Sequence, residues 1–285
     1  MTAALKLKAI GAIDGHTHLF AEPDYIERHI EAAERLGIRR SVVSGLGRPW
    51  GLLDNAATLA AAERHPDRLI PLAFVLLGRD KPDCVARAKR QGFKGLKFTQ
   101  PLFPYDDERA FPFYAAAEEL RMPILFHCGV LAHMPGVVTS SEFMRPMRLD
   151  GVARRFPGLR IQIAHLGVPE YEVATTLARI VPNICVDMTG SPRGGWYTAK
   201  SPQFIRSLFH WPTWHRKLIF GTDVRMELLP KALRAHTRLL SAFRLTPEMR
   251  ASIYRDNARG FLGETERAPY ETVGWSSSGK EEADE

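Results

Sequence analysis

The chain is poor in cysteine and lacks a long apolar segment. Its 285 residues include three Cys, an odd number that does not suit a disulfide framework and makes a reducing, cytoplasmic environment the expectation. The longest uncharged apolar stretch, residues 70–78, is too short to cross a bilayer. The first residues do not form a basic-then-apolar leader peptide. We therefore expect neither a membrane protein nor a small secreted disulfide-bonded protein.

The sequence also lacks the clustered basic residues of a nucleic-acid-binding protein. Although the net charge is +7, Lys and Arg are scattered, and no zinc-finger, RRM or basic-region pattern accompanies them. Attraction of a small anionic substrate explains the basic charge equally well. Residues 264–285 differ from the rest, with seven acidic and two basic residues. We predict a folded domain over residues 1–263 and an acidic, flexible tail over residues 264–285.

Short apolar, β-rich segments alternate with amphipathic helical patterns along most of the chain. Eight such segments are expected to be strands: residues 8–14, 40–45, 69–77, 93–98, 123–127, 160–165, 183–188 and 217–223. Eight βα units in about 225 residues predict an α/β fold of the (β/α)8 TIM-barrel type in one domain, rather than a doubly wound sheet. A final helix over residues 247–262 is expected to pack beside the barrel or cover part of it.

The sequence has no Gly-x-Ser-x-Gly nucleophile elbow, but metal-binding residue types stand at the expected strand ends. Functional residues of such barrels lie at the carboxyl ends of the strands. The residues found there are His16, His18, His127, His165 and Asp223. His16 and His18 are two apart, so both rings point to the same side of an extended chain. Several imidazoles and a carboxylate are the ligand set that zinc or a similar divalent ion prefers, so we expect a metal site.

The ordered motifs resemble those of the amidohydrolase superfamily, in particular the amidohydrolase-related branch that includes aminocarboxymuconate-semialdehyde decarboxylase. The likeness covers about residues 10–262, nearly all of the expected domain. It is carried by Asp-Gly-His-Thr-His at 14–18, Gly-Phe-Lys-Gly-Leu-Lys at 92–97, Ala-His-Leu-Gly at 164–167, Phe-Gly-Thr-Asp at 220–223 and Asp-Asn-Ala-Arg at 256–259.

The resemblance implies a role for each motif residue. In mononuclear members the metal ligands correspond to His16, His18, His127 and Asp223, and the acid–base catalyst corresponds to His165. In binuclear hydrolytic members a carboxylated lysine after the fourth strand bridges two metals, and Lys97 stands at that place. The strand-5 and strand-6 histidines then both bind the second metal. The decarboxylases of the branch do not generally have a lysine there, which favours hydrolysis. Alternatively, Lys97 remains uncarboxylated, and its ammonium group pairs with a substrate carboxylate.

Two enzymatic functions and one non-catalytic function remain open at this point. The favoured one is a metal-dependent hydrolase of a small carboxylated or cyclic substrate, such as an amide, ester or lactone. The alternative is a mononuclear zinc-dependent nonoxidative decarboxylase of an aromatic or muconate-like acid. The third is a metal-binding protein without catalysis. Zinc is the expected ion, with Mn, Fe or Co as alternatives and one or two ions per chain.

Substrate contacts are expected from the loops after the strands. The candidates are Arg48, His133, Arg193 and Trp196. Arg binds a carboxylate through two parallel hydrogen bonds, and a Trp ring offers a stacking face, so the pair suits a planar acid. For each Arg taken alone, a loop contact or a surface ion pair is the simpler explanation. Arg193 has the strongest case, because its loop is Gly-rich and long enough to reach over the mouth of the barrel. No nucleic-acid or membrane partner is expected, and a homodimer is the default assembly.

Overall fold

The computed structural model describes residues 3–190, 195 and 199–265. Eight parallel strands form one sheet in the order of the chain. They are β1 (Ala12–Thr17), β2 (Ile38–Ser44), β3 (Leu69–Val75), β4 (Gly95–Phe98), β5 (Ile124–Phe126), β6 (Ile161–Ile163), β7 (Ile184–Asp187) and β8 (Leu218–Ile219). Just after β8, the carbonyl of Phe220 accepts a hydrogen bond from Gly15 N–H at 2.8 Å, which brings the last strand beside the first. The predicted (β/α)8 TIM barrel is confirmed.

One helix precedes β1, and the other helices follow the strands. The helices are α1 (Ala3–Ile10), α2 (Tyr25–Arg35), α3 (Asn55–Arg64), α4 (Asp83–Gln91), α5 (Phe111–Glu119), α6 (Arg148–Arg155), α7 (Tyr171–Ile180), α8 (Pro202–Leu208), α9 (Leu229–Leu239), α10 (Pro247–Ala251) and α11 (Asn257–Leu262). A π-helical turn, Ser252–Asp256, joins the last two. None of the helices in the described ranges combines the length and apolar character needed to span a bilayer.

The first predicted strand is misplaced by several residues. Lys8–Ile10, expected in the strand, belong to α1. Gly11 follows with φ +70°, a left-handed conformation that glycine adopts at little cost and that commonly ends helices. The strand then starts at Ala12 and runs to Thr17, so His16 lies inside β1 rather than after it.

The barrel interior contains an apolar cluster, which is covered at the amino-terminal end. Inward-facing residues such as Val42, Leu72 and Ile219 form one buried cluster with Ala258 and Phe261 of α11. Asn257 fixes this helix, because its amide donates to the carbonyls of His215 and Leu218, which lie before and within β8, at 2.7 Å each. The final helix therefore covers the amino-terminal opening of the barrel, and the opposite opening is left for a site.

Candidate active site

A cavity of about 640 Å³ lies at the carboxyl ends of the strands. Its lining includes every residue predicted as a metal ligand or catalyst: His16, His18, Lys97, His127, His165 and Asp223. They come from strands or strand ends that are far apart in the sequence, and the barrel brings them together as expected for this fold.

His16 and His18 are oriented from behind by hydrogen bonds to Nδ1. His16 Nδ1 lies 3.0 Å from Asp187 Oδ2, and His18 Nδ1 lies 2.7 Å from the carbonyl of Ser44. The Nε2 atoms lie 3.9 Å and 3.3 Å, respectively, from Asp223 Oδ1. Both rings therefore present Nε2 toward the same carboxylate.

Asp223 occupies a turn that the first strand holds in place. Its φ is +48°, a left-handed conformation, and its N–H donates to the carbonyl of His16 at 2.8 Å. The neighbouring Thr222 donates its N–H to Asp14 Oδ1 at 3.0 Å and its hydroxyl to Asp14 Oδ2. Burial raises the pKa of Asp223 to about 7, although the nearby Lys97 opposes this.

His127 and His165 form a contact on the other side of the cavity. His165 Nε2 lies 3.1 Å from His127 Nδ1, and 3.8 Å from Asp223 Oδ2. His165 has φ +59°, so a non-glycine residue is held in a costly conformation at the site. Burial lowers the pKa of His165 to about 4 and that of His127 well below its usual value, so both rings are neutral at pH 7.

Lys97 reaches the same cluster from β4. Its Nζ lies 3.0 Å from His16 Nε2, and the residue is 1% exposed. Burial lowers the pKa of Lys97 to about 8, with Asp223 acting in the opposite direction. A neutral amine is therefore accessible near neutral pH, which is the form that carboxylation requires.

The donor set fits a divalent metal. Ligand atoms of His16, His165 and Asp223 all lie within 4.8 Å of one another. Burial lowers the pKa of His18 to about 3 and keeps its ring neutral, as a metal ligand must be. His127 Nε2 is buried and has no hydrogen-bond partner among the described residues. Neutral imidazoles with a carboxylate suit zinc and its neighbours in the first transition series.

Asp187 and Thr189 are residues of the site that sequence reasoning missed. The Asp187 carboxylate contacts His16 Nδ1, and the Thr189 Oγ1 lies 2.7 Å from His165 Nδ1. Asp187 follows the apolar residues Ile184–Val186 at the end of β7. The available signal was an ionisable residue at a predicted inner position of a buried strand, where an unpaired carboxylate is costly.

None of the four predicted substrate-binding residues is found among the described residues that line the cavity. Arg48 and His133 are exposed and do not line the cavity, whereas Arg193 and Trp196 lie outside the described residues. The wall above the polar cluster is mostly apolar: Phe20, Leu46, Trp50, Leu52, Val130, Leu131, Ala132, Val168, Val224 and Leu228.

Arg225 also lines the cavity and was not predicted. Its guanidinium lies 4.4 Å from the centre of the Phe20 ring. It is already paired with Glu22, through contacts of 2.7 and 2.8 Å. Its position two residues after Asp223 was the signal that could have identified it.

Comparison with known proteins agrees with this geometry. The model of an amidohydrolase family matches residues 13–263, and no curated protein matches the chain. One similar solved structure is a probable 2-pyrone-4,6-dicarboxylic acid hydrolase from Acinetobacter baumannii with citric acid bound. It is 18% identical, with 89% of this chain and 99% of that chain covered and a TM-score of 0.62.

Two decarboxylases are similar as well. The 2,6-dihydroxybenzoate decarboxylase from Rhizobium is 16% identical, with 89% and 99% of the two chains covered and a TM-score of 0.62. The 5-carboxyvanillate decarboxylase from Novosphingobium aromaticivorans, complexed with manganese, is 17% identical, with coverages of 83% and 79% and a TM-score of 0.57. These likenesses support the barrel fold, and the family match extends over nearly all of the described chain. The resemblance found in the sequence is confirmed, and the chain belongs to the amidohydrolase family.

Proposed function

We propose that this protein is a metal-dependent hydrolase of a small carboxylated or cyclic substrate. The observation that carries the proposal is the position of Lys97, whose buried Nζ lies 3.0 Å from His16 Nε2 among the other ligand candidates. A carboxylated Lys97 would add two oxygen ligands at the centre of the cluster. Such a group is suited to hold a second ion beside the first.

The polar residues of the cavity would bind the metal, and one of them would also transfer a proton. His16, His18, His127, His165, Asp223 and carboxylated Lys97 would hold the metal. When bound, a divalent metal supplies Lewis acidity, which lowers the pKa of water to about 7 and polarises a substrate carbonyl. Asp223 accepts the proton of the attacking water at a carboxylate oxygen and returns it to the leaving group. The apolar wall excludes bulk water from the substrate and thereby strengthens these polar interactions.

A second candidate is a nonoxidative decarboxylase, and the apolar wall supports it. Two aromatic rings, Phe20 and Trp50, line the cavity above the polar cluster. A flat aromatic acid would place its ring against this wall and its carboxylate toward the histidines. In that reaction the ring carbon gains a proton as carbon dioxide leaves. Nε2 of His165 would take this proton from a water molecule and pass it to the carbon, and Lys97 as an ammonium pairs with the substrate carboxylate.

Product analysis separates the two reactions. The purified protein, loaded with zinc or manganese, is incubated with 2-pyrone-4,6-dicarboxylate, with other lactones and esters, and with 2,6-dihydroxybenzoate. Hydrolysis predicts loss of the substrate and release of acid without carbon dioxide. Carbon dioxide release would instead establish the decarboxylase, and absence of turnover on a broad panel with full metal occupancy would support a non-catalytic metal-binding protein.

The assignment of the site is tested by His16→Ala and Asp223→Ala. Each removes a proposed metal ligand, so we expect activity to fall below detection. The matched control is His210→Ala, because His210 is exposed and lies before β8, at the other end of the barrel. Near-full activity in either ligand variant would contradict the site assignment.

A further inference from the structure

The carboxylate of Asp187 lies directly behind two of the cavity histidines. It is fully buried and contacts His16 Nδ1 through Oδ2 at 3.0 Å. Oδ2 also accepts from Gln162 Nε2 at 2.8 Å. Oδ1 accepts from the backbone N–H groups of His165 and Thr189, at 2.9 and 3.0 Å. Asp187 is therefore surrounded by donors, as a buried carboxylate must be to remain ionised.

The hydroxyl of Thr189 connects this carboxylate to His165. Its Oγ1 donates to Asp187 Oδ1 at 2.6 Å and lies 2.7 Å from His165 Nδ1, closer than the Thr189 carbonyl, which is 3.4 Å from the same nitrogen. A hydroxyl has one proton to donate and two lone pairs that accept. Because that proton goes to the carboxylate, the hydroxyl accepts the hydrogen bond from the imidazole, and His165 carries its proton on Nδ1.

The consequence is a defined orientation for both rings. With the proton on Nδ1, the lone pair of His165 is on Nε2, which lies in the cavity 3.1 Å from His127 Nδ1. His16 donates from Nδ1 to the same Asp187, so its Nε2 is likewise left as the acceptor beside Lys97. Asp187 and Thr189 together control the nitrogen atoms that a metal or a substrate meets.

We propose that Thr189 is a positioning residue, whose hydroxyl, oriented by Asp187, fixes His165 as the Nδ1–H tautomer and aims its Nε2 into the cavity. The proposal deepens the proposed function, because it concerns how that site presents a ligand or proton-transfer nitrogen. The direction of the hydrogen bonds does not depend on which reaction the site performs.

The variants are Thr189→Val, which replaces the hydroxyl by a methyl group of similar shape, and Thr189→Ser, which retains a hydroxyl. The matched control is Thr58→Val. Thr58 is 1% exposed, and its hydroxyl has no hydrogen-bond partner among the described residues. Both variants replace a buried Thr by Val, but only Thr189→Val removes a hydroxyl that is hydrogen-bonded to other side chains.

The first measurement is the side-chain nitrogen spectrum of the metal-free protein labelled with ¹⁵N-histidine, at pH 8. The His165 signals are assigned by their disappearance in His165→Gln. We expect an Nδ1–H tautomer in the wild type, in Thr189→Ser and in Thr58→Val, and a mixture or the Nε2–H tautomer in Thr189→Val. An unchanged Nδ1–H tautomer in Thr189→Val would overturn the proposal.

The second measurement is the affinity for zinc, determined by competition with a chelator. Loss of a group that orients a metal-binding histidine typically costs 10- to 100-fold in affinity. We expect a loss of about that size in Thr189→Val, recovery in Thr189→Ser and no change in Thr58→Val. Equal affinities together with an unchanged tautomer would contradict the positioning role, whereas equal affinities with a changed tautomer would assign His165 to proton transfer rather than to metal binding. If the tautomer responds as expected but the protein has no turnover, the proposed function fails while the positioning role stands.

Discussion

At the scale of single residues, three of the cavity histidines are held in the same way. The Nδ1 atom of three of them is engaged from behind, by Asp187 for His16, by the Ser44 carbonyl for His18 and by Thr189 for His165. Such contacts fix the ring and its tautomer, and they leave Nε2 for the cavity. Burial lowers the pKa of these rings, so they are neutral and available to a cation without first losing a proton.

Lys97 provides a test at this scale. We predict that Lys97→Met lowers the bound metal by one ion per chain and lowers hydrolytic activity at least about 100-fold. In the metal-free protein the folded state should not be destabilised, because burial disfavours the charged form of Lys97 that Met removes. Elemental analysis, activity and thermal unfolding are compared with Lys89→Met, in which the lysine is exposed on α4. Unchanged metal content with a raised KM would show that Lys97 instead pairs with the substrate.

Residue types at strand ends could be predicted from the sequence, but their partners could not. His16, His18, His127, His165 and Asp223 were found because they end apolar segments in a regular order. Thr189 was missed because a threonine beside a strand is common, and its importance arises from the position of His165 on the neighbouring strand end. Arg48 was a candidate because it lies in a loop after a strand, yet the loop places its side chain in solvent.

At the scale of elements, the loops after β5 and β6 are closely fitted to each other. Gly129 follows His127 and Cys128, and the N–H of Val130 donates to the carbonyl of Val168 at 2.8 Å. A Cβ on Gly129 would lie 1.9 Å from that carbonyl oxygen, and the residue has φ +96°. Glycine is therefore needed here for space as well as for conformation, and this contact holds the His127 and His165 loops together.

We predict that Gly129→Ala lowers the free energy of unfolding by about 3 kcal/mol or more, because the backbone must move to relieve the contact. The matched control is Gly136→Ala in the same loop region. Gly136 also has a positive φ, +79°, but its Cβ would meet nothing within 4 Å. That variant should cost about 1 kcal/mol, the penalty of the left-handed conformation alone. Urea denaturation measures the free energy of unfolding of both variants. An equal decrease in the two would mean that the close approach of Gly129 to Val168 does not add to the cost of the substitution.

Element positions were predicted better in the middle of the chain than at its start. The third predicted strand, residues 69–77, begins where β3 begins, because a continuous apolar run is typical of a strand buried on both faces. The first predicted strand was misplaced because the apolar residues Ala9–Ile10 suit a helix as well as a strand. Gly11 ends the helix, so the strand begins only at Ala12. The last helix was expected to pack beside the barrel or cover part of it. The sequence could not decide between these positions, because the apolar face of a helix does not indicate which surface it packs against.

At the scale of the whole molecule, the barrel has a closed end and a functional end. Phe261 and Ala258 close the amino-terminal opening with apolar packing, and the polar cluster lies at the other opening. Glu264, the first residue of the predicted tail, pairs with Arg40 at 2.7 Å. Residues 266–285 lie outside the described residues, and the acidic tail, the cytoplasmic location and the homodimer stay predictions.

Buried histidines outside the site predict how stability depends on pH. Burial lowers the pKa of His29 to about 4 and that of His236 to about 3, from 6.5. Below pH 6.5 the unfolded chain therefore binds protons that the folded protein does not, and stability falls as the pH falls. Each group contributes a slope of up to about 1.4 kcal/mol per pH unit between its two pKa values.

The contribution of one group is isolated by His236→Phe, which keeps a ring between Phe220 and Tyr254. We predict that the free energy of unfolding of this variant declines less steeply between pH 6 and pH 4 than that of the wild type. Urea denaturation at several pH values measures the difference. Parallel curves for the two proteins would contradict the claim that folding keeps His236 neutral.

The presence of a metal site at the carboxyl ends of the strands is tested by the metal content of the purified chain. The protein is prepared without chelator, incubated with zinc or manganese, and analysed for elements beside His16→Ala. We expect two ions per wild-type chain, in keeping with a carboxylated Lys97, and a clear loss in the variant. One ion would favour the mononuclear chemistry with His165 as the proton carrier. No bound ion in the wild type would contradict the account, because the histidines and Asp223 would then serve something other than a metal.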